Sequence, residues 1–351
     1  MSLLDRSLEI NPKTVRAYTT KGMISITQEN WLKAKENYEK ALELNPNDAT
    51  THHYYAIYHS MKPEADYKKA LEHINIAQIL NPYFSSINVT RIYLLLKNDK
   101  IIEADEFYMN NNSFFTEKTN SIMRNDLITY KAKKICTEKK DWKEIIKIYH
   151  RAIEEDSQNA EMYRRLSEAY KEILIDAENY LKYAEKAYKL DSIGWKNAIS
   201  YFNSLIKNKN FDAAKKLLQS KNFKSIFNEE LEFKYLFYWY YHQGDYKKAT
   251  ESLDKYNYEN HFEFAINLAQ QNKVMETYQI LNNDVLKKFE KAIVFAILKE
   301  RDSMYYYIDK EKDIFYIQEF NAFNEVDPYR KEERYKAFLK NNYLPITHWN
   351  E

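Results

Sequence analysis

Three histidines, His52, His53 and His59, are the first residues in this chain with the chemistry of a metal ligand. Successive helical positions point about 100° apart, and no second histidine pair or carboxylate follows at ligand spacing. They read as core or surface residues. Cys136 is the only cysteine. A lone thiol makes neither an internal disulfide nor a multi-thiolate metal site, and nothing around it has the local signature of a Cys-His nucleophile pair. It reads as a small core residue in a reducing cytoplasm. Acidic runs such as Glu154-Glu155-Asp156 and Glu229-Glu230 fall where exposed helix ends belong, with no partner to tune one as a general acid. Tyr130 to Lys140 mixes aromatic and basic residues, among them Lys133, Lys134, Lys139 and Lys140, in the manner of surfaces that stack single-stranded RNA. Against that, 53 Lys plus Arg nearly cancel 52 Asp plus Glu, so no net field exists to hold a polyanion.

The elements that would have to position any such residues are helices. Glycine occurs only at positions 22, 194 and 244, too few for a loop whose backbone cradles phosphate. Six prolines, with none between Pro82 and Pro328, leave a long stretch without strong helix breakers, and Lys, Glu, Ala and Leu are plentiful. No apolar run approaches the roughly 20 residues of a membrane span, and the start lacks the apolar core of a secretory signal. These features lead us to expect a soluble, cytoplasmic, all-α protein without cofactor or metal that is not an enzyme.

Self-similarity decides among helical folds. Asn11-Pro12 and Asn45-Pro46 each follow a similar segment, Ser-Leu-Glu-Ile and Ala-Leu-Glu-Leu, at a spacing of 34, and Asn81-Pro82 recurs 36 residues later. A period in this range marks a repeat array. Between the first two lie Tyr18, Gly22, Ala34, Tyr38, Ala41 and Pro46, a pattern that resembles the tetratricopeptide repeat (TPR) residue for residue. Gly22 and Ala34 are small where two antiparallel helices touch, Tyr38 fills the space between them, and Pro46 ends the second helix. Degenerate copies continue. Residues 126–137 pair with 142–155, where Tyr149 and Ala152 repeat Tyr38 and Ala41, and weaker pairs occupy 261–281 and 285–309. The resemblance implies a right-handed superhelical solenoid of about nine helical hairpins, with recurrent Tyr and Trp as core ridges.

The ends carry further signals. Leu3 to Pro12 resembles the second helix of a repeat without its first, which suggests a fragment of a longer protein behind a leader at Met1-Ser2-Leu3. Residues 320–345 resemble the terminal segment of bacterial TPR proteins that carry an N-terminal adenylate cyclase, winged-helix DNA-binding or kinase domain. The residues concerned are Asp327, Tyr329, Arg330, Arg334, Tyr335, Leu339, Leu344 and Pro345, although Leu298-Lys299 stands where that family has Leu-Gly. The expected division is a partial repeat at 1–12, the array at 13–309 and a cap at 310–351, in which Asp327 to Leu344 form a capping helix anchored by Phe338 and Leu339.

What such repeats do is bind protein segments, and the register places the surface. The two-carboxylate clamp known in the family is absent, because Thr19, Met23, Tyr54, Ser86 and Thr90 occupy its places. Groove-facing positions of the first helices fall at Thr19, Met23 and Ile26, then His53 and Ile57, then Val89, Tyr93 and Leu96, then Tyr130 and Lys134, then Arg164 and Glu168. We therefore expect a groove that takes a partner peptide apolar at one end and acidic at the other, within a regulatory region of a bacterial signalling protein. The partner would be another protein, or an effector domain of the same polypeptide, and not a membrane. A free-standing scaffold is the alternative, followed by an RNA-binding helical repeat.

Overall fold

The computed structural model describes residues 3–135, 138, 141–253, 261–283 and 285–346. Cys136, Lys139, Lys140 and the leader residues Met1 and Ser2 lie outside the described residues. The chain divides into two compact units, residues 1–131 and 132–351. All regular structure among the described residues is helical.

Unit 1 opens with α1 (Leu3–Ile10), followed by the hairpins α2 (Val15–Thr27) with α3 (Trp31–Leu44), α4 (Ala49–Met61) with α5 (Tyr67–Leu80), and α6 (Ser85–Lys97) with α7 (Ile101–Asn111). α8 (Glu117–Lys134) then crosses the boundary after Lys131. The repeat signature does what its residue sizes require. Ala34, Tyr38 and Ala41 are fully buried, and a Cβ at Gly22 would lie 2.7 Å from the Tyr38 ring. Helix starts are written in Asn and Asp: Asn30, Asp48 and Asp66 each accept a hydrogen bond from a backbone amide three residues on.

Unit 2 contains α9 (Trp142–Glu155) and the hairpins α10 (Ala160–Ala169) with α11 (Ala177–Leu190), and α12 (Trp195–Lys207) with α13 (Phe211–Gln219). A short α14 (Lys221–Ile226), not foreseen from the sequence, precedes α15 (Glu229–Tyr241) with α16 (Tyr246–Leu253). Next come α17 (Phe262–Gln270) with α18 (Val274–Leu281), α19 (Lys288–Ile297) with α20 (Arg301–Ile308), α21 (Ile314–Ala322) and α22 (Glu333–Asn341). Of the hairpin expected from 126–137 and 142–155, the first helix falls on α8, which crosses the unit boundary and whose expected last two positions lie outside the described residues, and the second on α9 in unit 2. Asn159, Asp176, Asn210 and Asn228 repeat the capping pattern of unit 1.

The expected single helix over Asp327 to Leu344 is corrected to two pieces. A 3-10 turn covers Asn324–Tyr329, and α22 begins only at Glu333. The break is built around Arg330, whose buried guanidinium donates to Asp327 (2.6 Å), the Asn321 side chain (2.7 Å) and the carbonyls of Asn321 and Phe323. Tyr335 donates to the same Asn321 oxygen at 2.9 Å, and Tyr335, Phe338 and Leu339 are buried in one core with Ile308, Ile317 and Phe320. Arg330 and Tyr335 therefore tie α21 to the turn and to α22.

Candidate functional site

α12 shows how one helix serves two faces. Ala198, Phe202 and Leu205, at helical spacing, are buried with Ala214 and Leu217 of α13. On the other face Lys196, Ile199, Asn203 and Lys207 recur three and four residues apart, and they line two adjoining cavities of unit 2. The first, about 350 Å³, lies between α10 and α12, among Arg164, Arg165, Glu168, Trp195, Lys196 and Ile199. The second, about 270 Å³, lies among Asn203, Lys207, Lys234, Tyr235, Tyr238 and His242, and is bounded by Glu319 and Ala322 of α21 and by Phe323, Asn324 and Glu325. Lys171, Tyr180 and Asn203 line both. Trp195 is 55% exposed at the first of them.

Local backbone chemistry aims Lys171 there. After Ala169 the helix widens into a π turn, Tyr170–Leu174, that stops at Ile175 with φ 53°. A β-branched residue in the left-handed region is strained, and π turns gather at functional sites. Lys207, at the end of α12, donates to the Ala322 carbonyl at 2.8 Å and to the Asn324 side chain. Its ammonium thus meets the negative end of α21. Burial, helped by Arg330 and Lys171, brings the Lys207 pKa down to about 8. Burial beside that ammonium also takes His242 down to about 4. Lys234 pairs with Glu263 at 2.6 Å, and the Tyr238 hydroxyl donates to the same carboxylate at 2.8 Å. Glu263 stays below the ordinary range despite its burial because Lys234 holds it ionised.

The structure distributes the twelve sequence-predicted positions unevenly. Thr19 is buried with its hydroxyl 2.6 Å from that of Thr51, His53 is buried with Nε2 2.9 Å from the Thr90 hydroxyl, and Leu96 is buried in α6. These three pack against neighbouring helices. Met23, Ile26, Ile57, Val89 and Tyr130 are half-buried, and Tyr93 is 40% exposed. Tyr93 and Tyr130 meet at Lys97, whose Nζ lies 5.3 and 5.8 Å from their ring centres. Lys134 is half-buried, 3.5 Å from Glu138.

Arg164 and Glu168 do border a cavity, but Arg164 is not the free cation that an acidic ligand needs. Its buried guanidinium is held within its own helix by Glu161 at 2.5 Å and by Glu168. Residues missed from the sequence are Lys171, Lys207, Lys234, Tyr235, Tyr238, His242 and Glu319. The first-helix register, carried past Glu168, reaches Ile199, Asn203 and Lys207. Glu319 had no such signal, since only the folded chain brings α21 to α12.

Among the described residues no group of three or more His, Cys, Asp and Glu could hold a metal ion, and no helix is long and apolar enough to cross a membrane.

A family model described as tetratricopeptide repeat matches residues 15–48. A search among curated proteins returned no match. Solved structures similar in fold include YrrB, a TPR protein with an unusual peptide-binding site, at 16% identity over 56% of this chain and 96% of that one, with a TM-score of 0.40. A tetratricopeptide repeat protein from Parabacteroides merdae matches at 12% identity over 78% and 98% of the two chains, with a TM-score of 0.43. Human IFIT1, solved with m7Gppp-AAAA, matches at 13% over 90% and 76%, with a TM-score of 0.38. These likenesses concern the helical-hairpin fold alone.

Proposed function

We propose that this chain is a non-catalytic interaction module that takes a segment of a partner protein along the first-helix face of unit 2. TPR hairpins are protein-interaction scaffolds, and the ligands of such scaffolds are extended peptides or helices laid across successive first helices. The observation that carries the reading is the pair of adjoining cavities on α10, α12 and α15, with Trp195 open at one end. Exposed Trp and Tyr anchors dominate the energy of such contacts. The accessible part of the expected surface in unit 1, Met23, Ile26, Ile57, Val89, Tyr93 and Tyr130, is proposed as a separate contact surface of that unit, and Lys134 as a contact of unit 2.

The likeness of residues 320–345 to bacterial signalling proteins supports placing the module in a regulatory polypeptide. The partner is then another protein or an effector domain of the same chain. A free-standing scaffold is the alternative.

A photo-crosslinking residue at Ile199 tests the site. Partner peptides crosslinked from Ile199, absent from a control at Lys216 on α13, and lost in Trp195→Ala with an unchanged helical signal, are the expected result. Crosslinks from Lys216 alone would move the interface off the first-helix face.

A further inference from the structure

Three lysines and two glutamates line the smaller cavity of unit 2, and two of the lysines are already paired with carboxylates outside the lining. Lys171 pairs with Glu172 at 3.1 Å and Lys234 with Glu263 at 2.6 Å. Lys207, Glu319 and Glu325 remain, and among the described residues none of them has an oppositely charged side chain within the 4.0 Å of an ion pair. Among these three groups one cation faces two carboxylates, an excess of one carboxylate at the cavity.

The two carboxylates are not equivalent. Tyr241 donates to Glu325 at 3.0 Å, and the second Glu325 oxygen is sealed from solvent. Glu319 lines the cavity with no donor among the described residues, while the rings of Tyr180, Tyr235, Tyr238 and Phe323 supply aromatic wall.

We propose that this cavity seats one basic side chain, an arginine or a lysine, of the partner segment, with Glu319 as its counter-ion. The proposal deepens the first-helix-face reading and rests on it. An incoming monocation cancels the excess charge, gains a charge-assisted hydrogen bond that Glu319 now lacks, and meets tyrosine faces that attract cations. Lys207 does not occupy that role, because its ammonium is turned to the Ala322 carbonyl and the Asn324 side chain. Burial holds both glutamates above their ordinary range, against the opposing pull of Lys171 and Lys287 on Glu319 and of the Tyr241 hydroxyl and Lys207 on Glu325.

The test uses the full chain and four small probes, the Nα-acetyl amides of arginine, lysine, glutamine and glutamate, titrated by protein-observed NMR. At least one cationic amide should bind at least tenfold tighter than the glutamine amide, and the arginine and lysine arms show which head group the cavity prefers. Glu319→Gln, of equal size and checked for an unchanged helical signal, should remove that preference. Glu276→Gln on α18, away from the cavity, should keep it.

A second readout needs no variant. Near pH 8 the cation should displace protons from Lys207, so the heat of binding should vary with the ionisation enthalpy of the buffer in the sense of proton release.

Tightest binding of the glutamate amide, a preference that survives Glu319→Gln, or no saturable binding of either cation by about 10 mM, roughly a 3 kcal/mol standard free energy, overturns the proposal. Failure of the wider reading looks different. Cationic amides would still bind at Glu319 while Ile199 yields no partner crosslink.

Discussion

Gly22 and Tyr38 show how a single residue sets the distance between two helices. With the Tyr38 ring only 2.7 Å from where a Cβ would stand, Gly22→Ala must push α2 and α3 apart or tilt the ring. Overpacking of this kind costs about 1–3 kcal/mol. Urea unfolding of Gly22→Ala should therefore show a lower midpoint with an unchanged slope, and an unaltered midpoint would mean that the hairpin is looser than its contacts indicate.

A second residue-scale consequence lies in the seam of α4 and α5. His52 Nδ1 and His73 Nδ1 are 2.9 Å apart, and the His59 and His73 rings stack at 5.6 Å. His52 Nε2 donates to the Pro46 carbonyl, so in a neutral His52 the other nitrogen accepts from His73. Burial, reinforced by the facing His73 ring and by Lys62 and Lys69, lowers His59 to about 4. Burial, then His52 and Lys69, do the same to His73. Asp66 opposes this weakly at His59. Both folded values lie below the ordinary 6.5, so the stability tied to the neutral rings is complete above pH 6.5 and is lost as pH falls toward 4. Each proton contributes a slope of up to about 1.4 kcal/mol per pH unit in that window. Unfolding free energies measured from pH 7 to pH 5 should fall, and His59→Phe, which keeps a ring and takes no proton, should fall less steeply. Equal slopes would remove His59 from the account.

At the scale of the element, the recurring device is a one-residue left-handed turn between the two helices of a hairpin. Glu29, Asp99, Lys209, Asn272 and Lys299 take φ between 56 and 61°, whereas only Gly244 puts glycine in that position. Lys299 thus stands in the left-handed position of the turn between α19 and α20. A non-glycine residue there is strained by roughly 1–2 kcal/mol, part of which glycine gives back through its looser unfolded chain. Lys299→Gly should raise the unfolding free energy by up to about 1 kcal/mol, read as a higher thermal midpoint. A lower midpoint would show that the Lys299 side chain contributes more than its backbone costs. Ile175 is the exception that is not repeated elsewhere, a β-branched residue at φ 53° after a π turn, at the place where Lys171 enters the two cavities.

For the molecule as a whole, the segment after α20 decides most. α21, the Asn324–Tyr329 turn and α22 contribute Ile317, Phe320, Val326, Tyr335, Phe338 and Leu339 to the largest core of unit 2, and Tyr329 donates to the Ala296 carbonyl at 2.9 Å. A terminal repeat needs its apolar end covered. Truncation after Val326 should lower the melting temperature or cause aggregation. It should also enlarge the smaller cavity, because the Arg330 contacts that position Asn321 and Phe323 are lost with it. A truncated chain as stable as the parent would make the segment dispensable.

The helical class, the repeat spacing and the close packing of Gly22, Ala34, Tyr38 and Ala41 were determined by the sequence itself. Each depends on contacts within about one repeat, where residue size and period are sufficient. So were the buried anchors Phe338 and Leu339. The site needed the tertiary structure, because register shows which residues share a face but not which of them a neighbouring helix covers. Thr19, His53, Leu96 and Arg164 share the expected faces and are buried there by Thr51, Thr90, the α6 core and the Glu161–Glu168 clamp. The cavity at Glu319 joins α12 and α15 to a helix more than a hundred positions along the chain from Lys207. No local pattern encodes such a meeting, which follows only once α21 has packed and the Lys207 ammonium has met its C-terminal carbonyl.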